Sequence, residues 1–167
     1  MLYSLLMNPP YFRPGAGSVI FNQHGKVLVF ERADLPHTWQ FQQGGLDGNE
    51  TPQEALWREL REETGLLESD FLSCTAYPDW TLYTYNEETR AKFSTNCLGQ
   101  VHRWFFLHLR DDVVIDLTRA TDNEFTAWKW LDFSTVLTNT NAMKLPVYQK
   151  LFDFFADEIL PRLPRQL

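Results

Sequence analysis

Apolar residues fall on a helical period most clearly between Thr51 and Leu66, where Leu56 and Leu60 stand four apart on one stripe. Thr51 supplies an N-cap, Pro52 the first helical position and Glu54 the third, a capping box with an acid near the positive end of the helix dipole. Gly65 closes the helix as a left-handed cap. Upstream, Gly17 to Phe21 and Lys26 to Glu31 are β-rich runs joined by the turn residues Asn22-Gln23-His24-Gly25, a hairpin signal. Trp39-Gln40-Phe41 predicts a short strand leading into a glycine loop. Downstream, Phe71 to Tyr77, Trp80 to Tyr85, Gln100 to Leu109 and Glu124 to Trp130 are further strand candidates. The polar stretch Asn86 to Leu98 predicts a loop that acts as a mobile lid. Ser134 is placed to cap a short helix. Pro146 stands at the first position of the last helix, with Val147, Leu151, Phe154 and Phe155 inward and Pro161 as its stop. Strands interleaved with few helices imply an α+β fold with a mixed sheet flanked by helices, an α/β/α sandwich.

Composition sharpens this little. A chain of 167 residues with 44% hydrophobic and 15% aromatic content forms one domain with a proper core, and neither repeats nor linkers divide it. No apolar run approaches the roughly 18 residues of a membrane span, and no membrane partner is expected. Leu2 to Met7 is apolar but short, lacks a basic leader and precedes Pro9-Pro10, which makes a poor secretion signal. Cys74 and Cys97 have no metal-like spacing, and a reducing, cytoplasmic setting is the expectation.

Charge changes the picture more. The net charge is −7, and residues 47–63 hold six acids against two arginines, −4 of that total. Such a balance argues against a broad basic footprint for DNA or long RNA. Glu59, Glu62 and Glu63 stand at i, i+3 and i+4, on one helical face. Two carboxylates about 6 Å apart repel by roughly 3 kcal/mol at an effective dielectric near 20. Either the face is fully solvated or a divalent cation sits on it, and hard oxygen donors suit Mg²⁺ or Mn²⁺ rather than zinc.

The stretch Gly44 to Leu66 resembles the Nudix box at every defined position: Gly44, Glu50, Arg58-Glu59-Leu60, Glu62-Glu63 and Gly65-Leu66. Seven fixed residues at roughly 7% frequency each would coincide about once in 10⁸ placements, so chance is set aside. The resemblance implies a single Nudix hydrolase domain over residues 1–167, with its core at about 12–160. It also implies two or three Mg²⁺ ions, with Mn²⁺ as a substitute, held by Glu59, Glu62, Glu63 and the carbonyl of Gly44. Glu50 would pair with Arg58 to fix the loop on the helix, and water would attack phosphorus.

Flanking runs narrow the likeness. Trp39 to Gly45 (WQFQQGG) resembles the WQFPQGG run of asymmetrical diadenosine tetraphosphate hydrolases and bacterial RNA 5′-pyrophosphohydrolases, with Gln42 where proline is usual. Phe12-Arg13-Pro14, Gly99-Gln100 with Arg103-Trp104-Phe105, and Glu124-Phe125 with Trp128 and Trp130 resemble further segments of the same group. By this resemblance Glu124 completes the metal site, and Glu59, Glu62, Glu63 and Glu124 carry catalysis. Arg13, Arg32, Tyr83, Met143 and Lys144 are the implied substrate contacts, Tyr83 and Met143 against a base. Read as residues alone, Arg13 suits a surface ion pair equally, Lys144 an ordinary solvated lysine, and Tyr83 or Trp80 simple packing. Trp104, Trp128 and Trp130 are expected in the core. The resulting expectation is a Mg²⁺-dependent pyrophosphohydrolase acting on a nucleotide polyphosphate, foremost a dinucleoside polyphosphate such as diadenosine tetraphosphate. The 5′-triphosphate end of RNA is the nearest alternative, and a nucleoside triphosphate or capped nucleotide a further one. A non-catalytic nucleotide-binding regulator is disfavoured, because sensing alone would not need every carboxylate of the box.

Overall fold

The computed structural model describes residues 9–92 and 96–164. Seven strands of the described residues form one mixed sheet: β1 (Tyr11–Phe21), β2 (Val27–Arg32), β3 (Trp39–Gln40), β4 (Gln42–Gly45), β5 (Phe71–Thr84), β6 (Cys97–Leu109) and β7 (Phe125–Leu131). Four α-helices accompany them: α1 (Pro52–Thr64), α2 (Glu87–Lys92), α3 (Phe133–Asn139) and α4 (Leu145–Phe154). None of the described helices is long and apolar enough to cross a membrane.

β1 is the axis. From Gly15 to Phe21 it is buried without interruption, as a strand covered on both faces must be. Along one edge it pairs in parallel with β6, from Phe12 beside Gly99 to Phe21 beside His108. Its other edge is shared: β2 meets it at the hairpin base, and β4 pairs antiparallel with Gly15 to Ser18. β2 in turn carries β3 and β7, and β5 lies antiparallel to β6.

Two cores follow from the alternation of side chains along these strands. Val19, Phe21, Phe41, Trp104 and Phe106 face α3 and α4, whose Phe133, Val136, Tyr148 and Leu151 complete that layer. Ala16, Ile20, Leu28, Phe30 and Leu107 face the other way, onto Ala55, Leu56 and Leu60 of α1. Helices on both faces give the expected α/β/α arrangement. The N-terminus of α1 is the predicted capping box, with Thr51 Oγ1 accepting from the Glu54 N–H and the Glu54 carboxylate accepting from the Thr51 N–H. Gly65 ends it at φ 74°, and a methyl group there would also strike Arg119.

Several expectations change. The runs at 71–77 and 80–85 are one strand, whose pairing with β6 slips between Ala76 and Trp80, around Pro78. The stretch expected as a loop lid contains α2, and part of it (93–95) lies outside the described residues, as does Leu2 to Met7. Asp132, not Ser134, precedes α3, and its side chain makes no capping bond. Pro146 is the second residue of α4, after Leu145. Beyond Phe154 the chain keeps coiling through a wider turn at Phe155–Ile159, so Pro161 sits inside the last turn rather than stopping the helix. Trp104 is in the core, but Trp128 is 38% exposed because β7 borders only β2.

Tyr148 ties α4 to the strand that carries the glycine loop: fully buried, its hydroxyl accepts the Phe41 N–H at 3.2 Å. Tyr148→Phe keeps the ring and orphans that N–H, at an expected cost of about 1–3 kcal/mol. Urea denaturation should show a lower midpoint with an unchanged slope; an unchanged midpoint would mean that the N–H has another partner.

Candidate active site

Residues of the acidic motif converge where α1 packs against β4. Arg58 is the centre of this contact. Its Nε and Nη2 donate to the two oxygens of Glu50 at 2.6 and 2.8 Å, and Nη2 also reaches the Gly45 carbonyl at 2.9 Å. Nη1 donates to Glu59 at 2.8 Å and to Glu62 at 3.2 Å. The guanidinium therefore neutralises part of the acidic face, an answer that neither solvation nor a metal alone had anticipated. Hydrogen bonding to Arg58 holds the Glu50 carboxyl down to about 2. Glu59 instead sits above the usual carboxylate range, because its burial outweighs the Arg58 contact.

Glu63 has no cationic partner among the described residues. It is 6% exposed, and its Oε2 accepts one hydrogen bond, from Gln42 Nε2 at 3.0 Å. Burial pushes its carboxyl up to about 9, with the negative charges of Glu59, Glu124 and Asp122 adding to the shift. Glu124 is held beside the helix by its own loop: the N–H groups of Thr121 and Asp122 both donate to the Glu62 carbonyl, and the Glu124 carbonyl accepts from Ala33. Gly44 lies against Glu59 so closely that a methyl on it would collide with the carboxylate, while its carbonyl oxygen is directed toward Gly15.

Among the described residues no three carboxylate, imidazole or thiol groups stand close enough to close a metal cage by themselves. Mg²⁺ does not require one. It binds through one or two carboxylates, keeps several waters and takes substrate phosphates as the remaining ligands. A buried carboxyl without a cationic partner, flanked by further acids, is the environment such an ion relieves, and the all-oxygen donor set fits it.

Basic and amide side chains gather beside these acids, with Glu124 within electrostatic reach of both Arg32 and Lys144. Lys144 is 9% exposed, not solvated, and its Nζ donates to Gln40 Oε1 at 3.1 Å. Burial, reinforced by Arg32, lowers its amine to about 8 against the raising effect of Glu124. Arg32 commits two donors to Asp34, at 2.8 and 2.6 Å. Arg13 lies over Gly45 and makes no ion pair with the described residues. Met143 packs partly buried on the core.

Tyr83 does not present an open aromatic face. It is 8% exposed and lies parallel to His102 at 6.1 Å between ring centres. Its hydroxyl donates to Gln100 Oε1 at 2.8 Å and receives Gln43 Nε2 at 3.4 Å. Trp80 is exposed, with Arg103 over its ring at 5.8 Å. Gln40, Gln42, Gln43, Gln100 and His102 were missed as site residues; only their place inside the WQFQQGG and GQVHRW runs pointed to them. The buried Gln43 Oε1 has no hydrogen-bond partner among the described residues. A separate concavity of about 310 Å³ lies at the far end of β1, lined by His24, Arg110, Ile115, Trp128 and Trp130 among others, and holds none of these residues.

The profile of the NUDIX domain matches residues 11–151. The chain belongs to the Nudix family. It is 35% identical to the RNA pyrophosphohydrolase of Aliivibrio salmonicida over 152 residues, 90% of this chain and 89% of that one. Its fold is similar to that of the E. coli dihydroneopterin triphosphate pyrophosphohydrolase, with TM-score 0.71 at 22% identity over 87% of this chain and 98% of that one. It is also similar to a C. elegans Ap4A hydrolase, with TM-score 0.64 at 20% identity over 86% and 98%. At these identities the two structures speak to the Nudix fold alone.

His102 makes this Nudix domain acid-sensitive. It is buried, and burial, with Lys144 and Arg13 adding positive charge nearby, depresses its imidazole to about 3 from 6.5. The unfolded chain takes up the proton first, so this contribution to stability is complete above pH 6.5 and is lost as pH falls toward 3. The loss is about 2 kcal/mol between pH 7 and pH 5. Stability measured by urea at those two pH values should fall less in His102→Phe than in the wild type; equal falls would contradict the assignment.

Proposed function

We propose that this Nudix hydrolase removes pyrophosphate from the 5′-triphosphate end of RNA, using Mg²⁺, with Mn²⁺ able to replace it. The observation that carries this reading is a buried acid, Glu63, with no cationic partner among the described residues, close to Glu124 and through it to the cations Arg32 and Lys144, with Arg13 nearby. It occurs in a chain alignable over nine-tenths of its length with RNA pyrophosphohydrolases. A compact cationic group of this kind suits one phosphate chain, and a net charge of −7 disfavours contacts along an extended polyanion. Two free cysteines, one exposed, accord with a reducing cytoplasm.

In this reading Glu59, Glu62, Glu63 and Glu124, with the Gly44 carbonyl, hold two or three ions. When bound, the cations would offset phosphate charge and acidify a water for attack on phosphorus. Glu50 and Arg58 brace the loop, and Gly65 ends the helix that presents the acids. Arg13, Arg32 and Lys144 bind phosphate oxygens, and Met143 offers a polarizable contact to the first base. Hydrolysis of a dinucleoside polyphosphate is the second reading, favoured by the Lys144-Leu145-Pro146-Val147-Tyr148 run, which resembles the KKPVY of the tetraphosphate hydrolases. It stands second because the ring expected to stack on a base, Tyr83, is buried, parallel to His102 and in edge contact with Tyr85.

Initial rates on a short triphosphorylated RNA and on diadenosine tetraphosphate, with Mg²⁺, should favour the RNA. The reverse order would promote the second reading, and cleavage of neither with intact binding would point to a regulator. Glu63→Gln should lower turnover by orders of magnitude while metal-free nucleotide binding persists; unchanged turnover would remove Glu63 from the metal site.

A further inference from the structure

Ser18 and Gln42 are cross-strand partners on β1 and β4, and their side chains meet under α1. Ser18 Oγ donates to Gln42 Oε1 at 2.8 Å, and Gln42 Nε2 donates to Glu63 Oε2 at 3.0 Å. All three side chains are buried: Ser18 and Gln42 are each 1% exposed. The amide is fixed from both ends. In the ionised form that meets a cation, the Glu63 oxygen can be met only by the N–H side, so the C=O side faces Ser18, whose hydroxyl supplies the proton. Gln42 is also the position at which the Trp39–Gly45 run departs from the resembled pattern, where proline has no side-chain donor to give.

A carboxylate on a helix ordinarily samples several rotamers, and an ion that binds it must hold it in one. Here the strand pair does this in advance. With Oε2 on the Gln42 amide, the Glu63 carboxylate is anchored on its inner side and Oε1 is left as its second acceptor. We infer that the Ser18–Gln42 relay is a positioning device for Glu63, which orients this carboxylate for the divalent cation. The inference rests on the reading of Glu63 as a metal ligand. An alternative role, simple mortar between β4 and α1, would affect metal-free stability without selective loss of metal affinity.

The test is a Mn²⁺ titration of the full-length protein without nucleotide, followed by calorimetry or water-proton relaxation, with metal-free thermal stability measured alongside. Gln42→Met keeps the volume and removes the donor, and should weaken Mn²⁺ binding by about 10–100-fold, the usual consequence of losing an outer partner of a metal ligand. Ser18→Ala should weaken it in the same direction by less, and should have no further effect when added to Gln42→Met. Unchanged affinity in Gln42→Met, or equal effects of Ser18→Ala in both backgrounds, would overturn the relay. Should Gln42→Met fail to fold, Ser18→Ala alone decides: an affinity equal to the wild type overturns the proposal. A wild type that binds no Mn²⁺ would overturn both the relay and the metal reading beneath it, whereas a wild type that binds it sets the two apart.

Discussion

Arg58 makes five hydrogen bonds, to Glu50, Glu59, Glu62 and the Gly45 carbonyl, and the geometry of the acidic loop and helix depends on them. A lysine could not replace it, because the planar fork delivers several directed donors where an ammonium offers one point charge. Without Arg58, Glu50 would lose its hold on the helix, and Glu59 and Glu62 would repel across one turn. The same guanidinium decides what remains unsatisfied. It serves Glu50, Glu59 and Glu62 but not Glu63, whose hydrogen-bond partner among the described residues is the Gln42 amide. The acidic face is thereby divided into outer acids that share one guanidinium and an inner acid with no cationic partner among the described residues.

That division is produced by the fold as well as by the helix. β4 replaces β2 along the edge of β1 at Gly15 to Ser18, and this places the glycine loop and Gln42 directly beneath α1. From the other core layer, Tyr148 anchors Phe41 and carries Lys144 inward with α4, so that a lysine amine ends beside Gln40. Acid and base thus approach the same strand segment, 39–45, with Glu124 within electrostatic reach of Glu63, Arg32 and Lys144. A phosphate chain lying across that segment would meet both.

Local features were legible in the sequence, and long-range ones were less so. The capping box of Thr51 and Glu54, the left-handed Gly65 and the hairpin at Asn22 to Gly25 each depend on neighbours within a few residues, and they stand as expected. The Glu50–Arg58 contact was readable because helix and loop are joined by the motif itself. The contact of Arg58 with Glu62 is the i, i+4 pair that helix spacing offers, whereas its contact with Glu59 follows from rotamer and packing rather than spacing. Lys144 resembles a surface lysine in sequence; its burial comes from the packing of Val147 and Tyr148 some residues later. The single long β5 was hidden by Pro78, which interrupts the pattern but only shifts the pairing register. Gln42 stood out only as a departure from the usual proline, and its bond to Glu63 became visible only once β4 was placed under α1.

The central claim is that Arg58 satisfies the outer acids and leaves Glu63 as the carboxylate that meets the metal. Crystals soaked in Mn²⁺ and measured at its absorption edge test this most directly. The account predicts an anomalous peak at coordinating distance, a little over 2 Å, from Glu63, with the Arg58–Glu50 pair intact. A peak bound to other carboxylates with Glu63 still joined to Gln42 alone, or an ion that displaces Arg58 from Glu50, would contradict it.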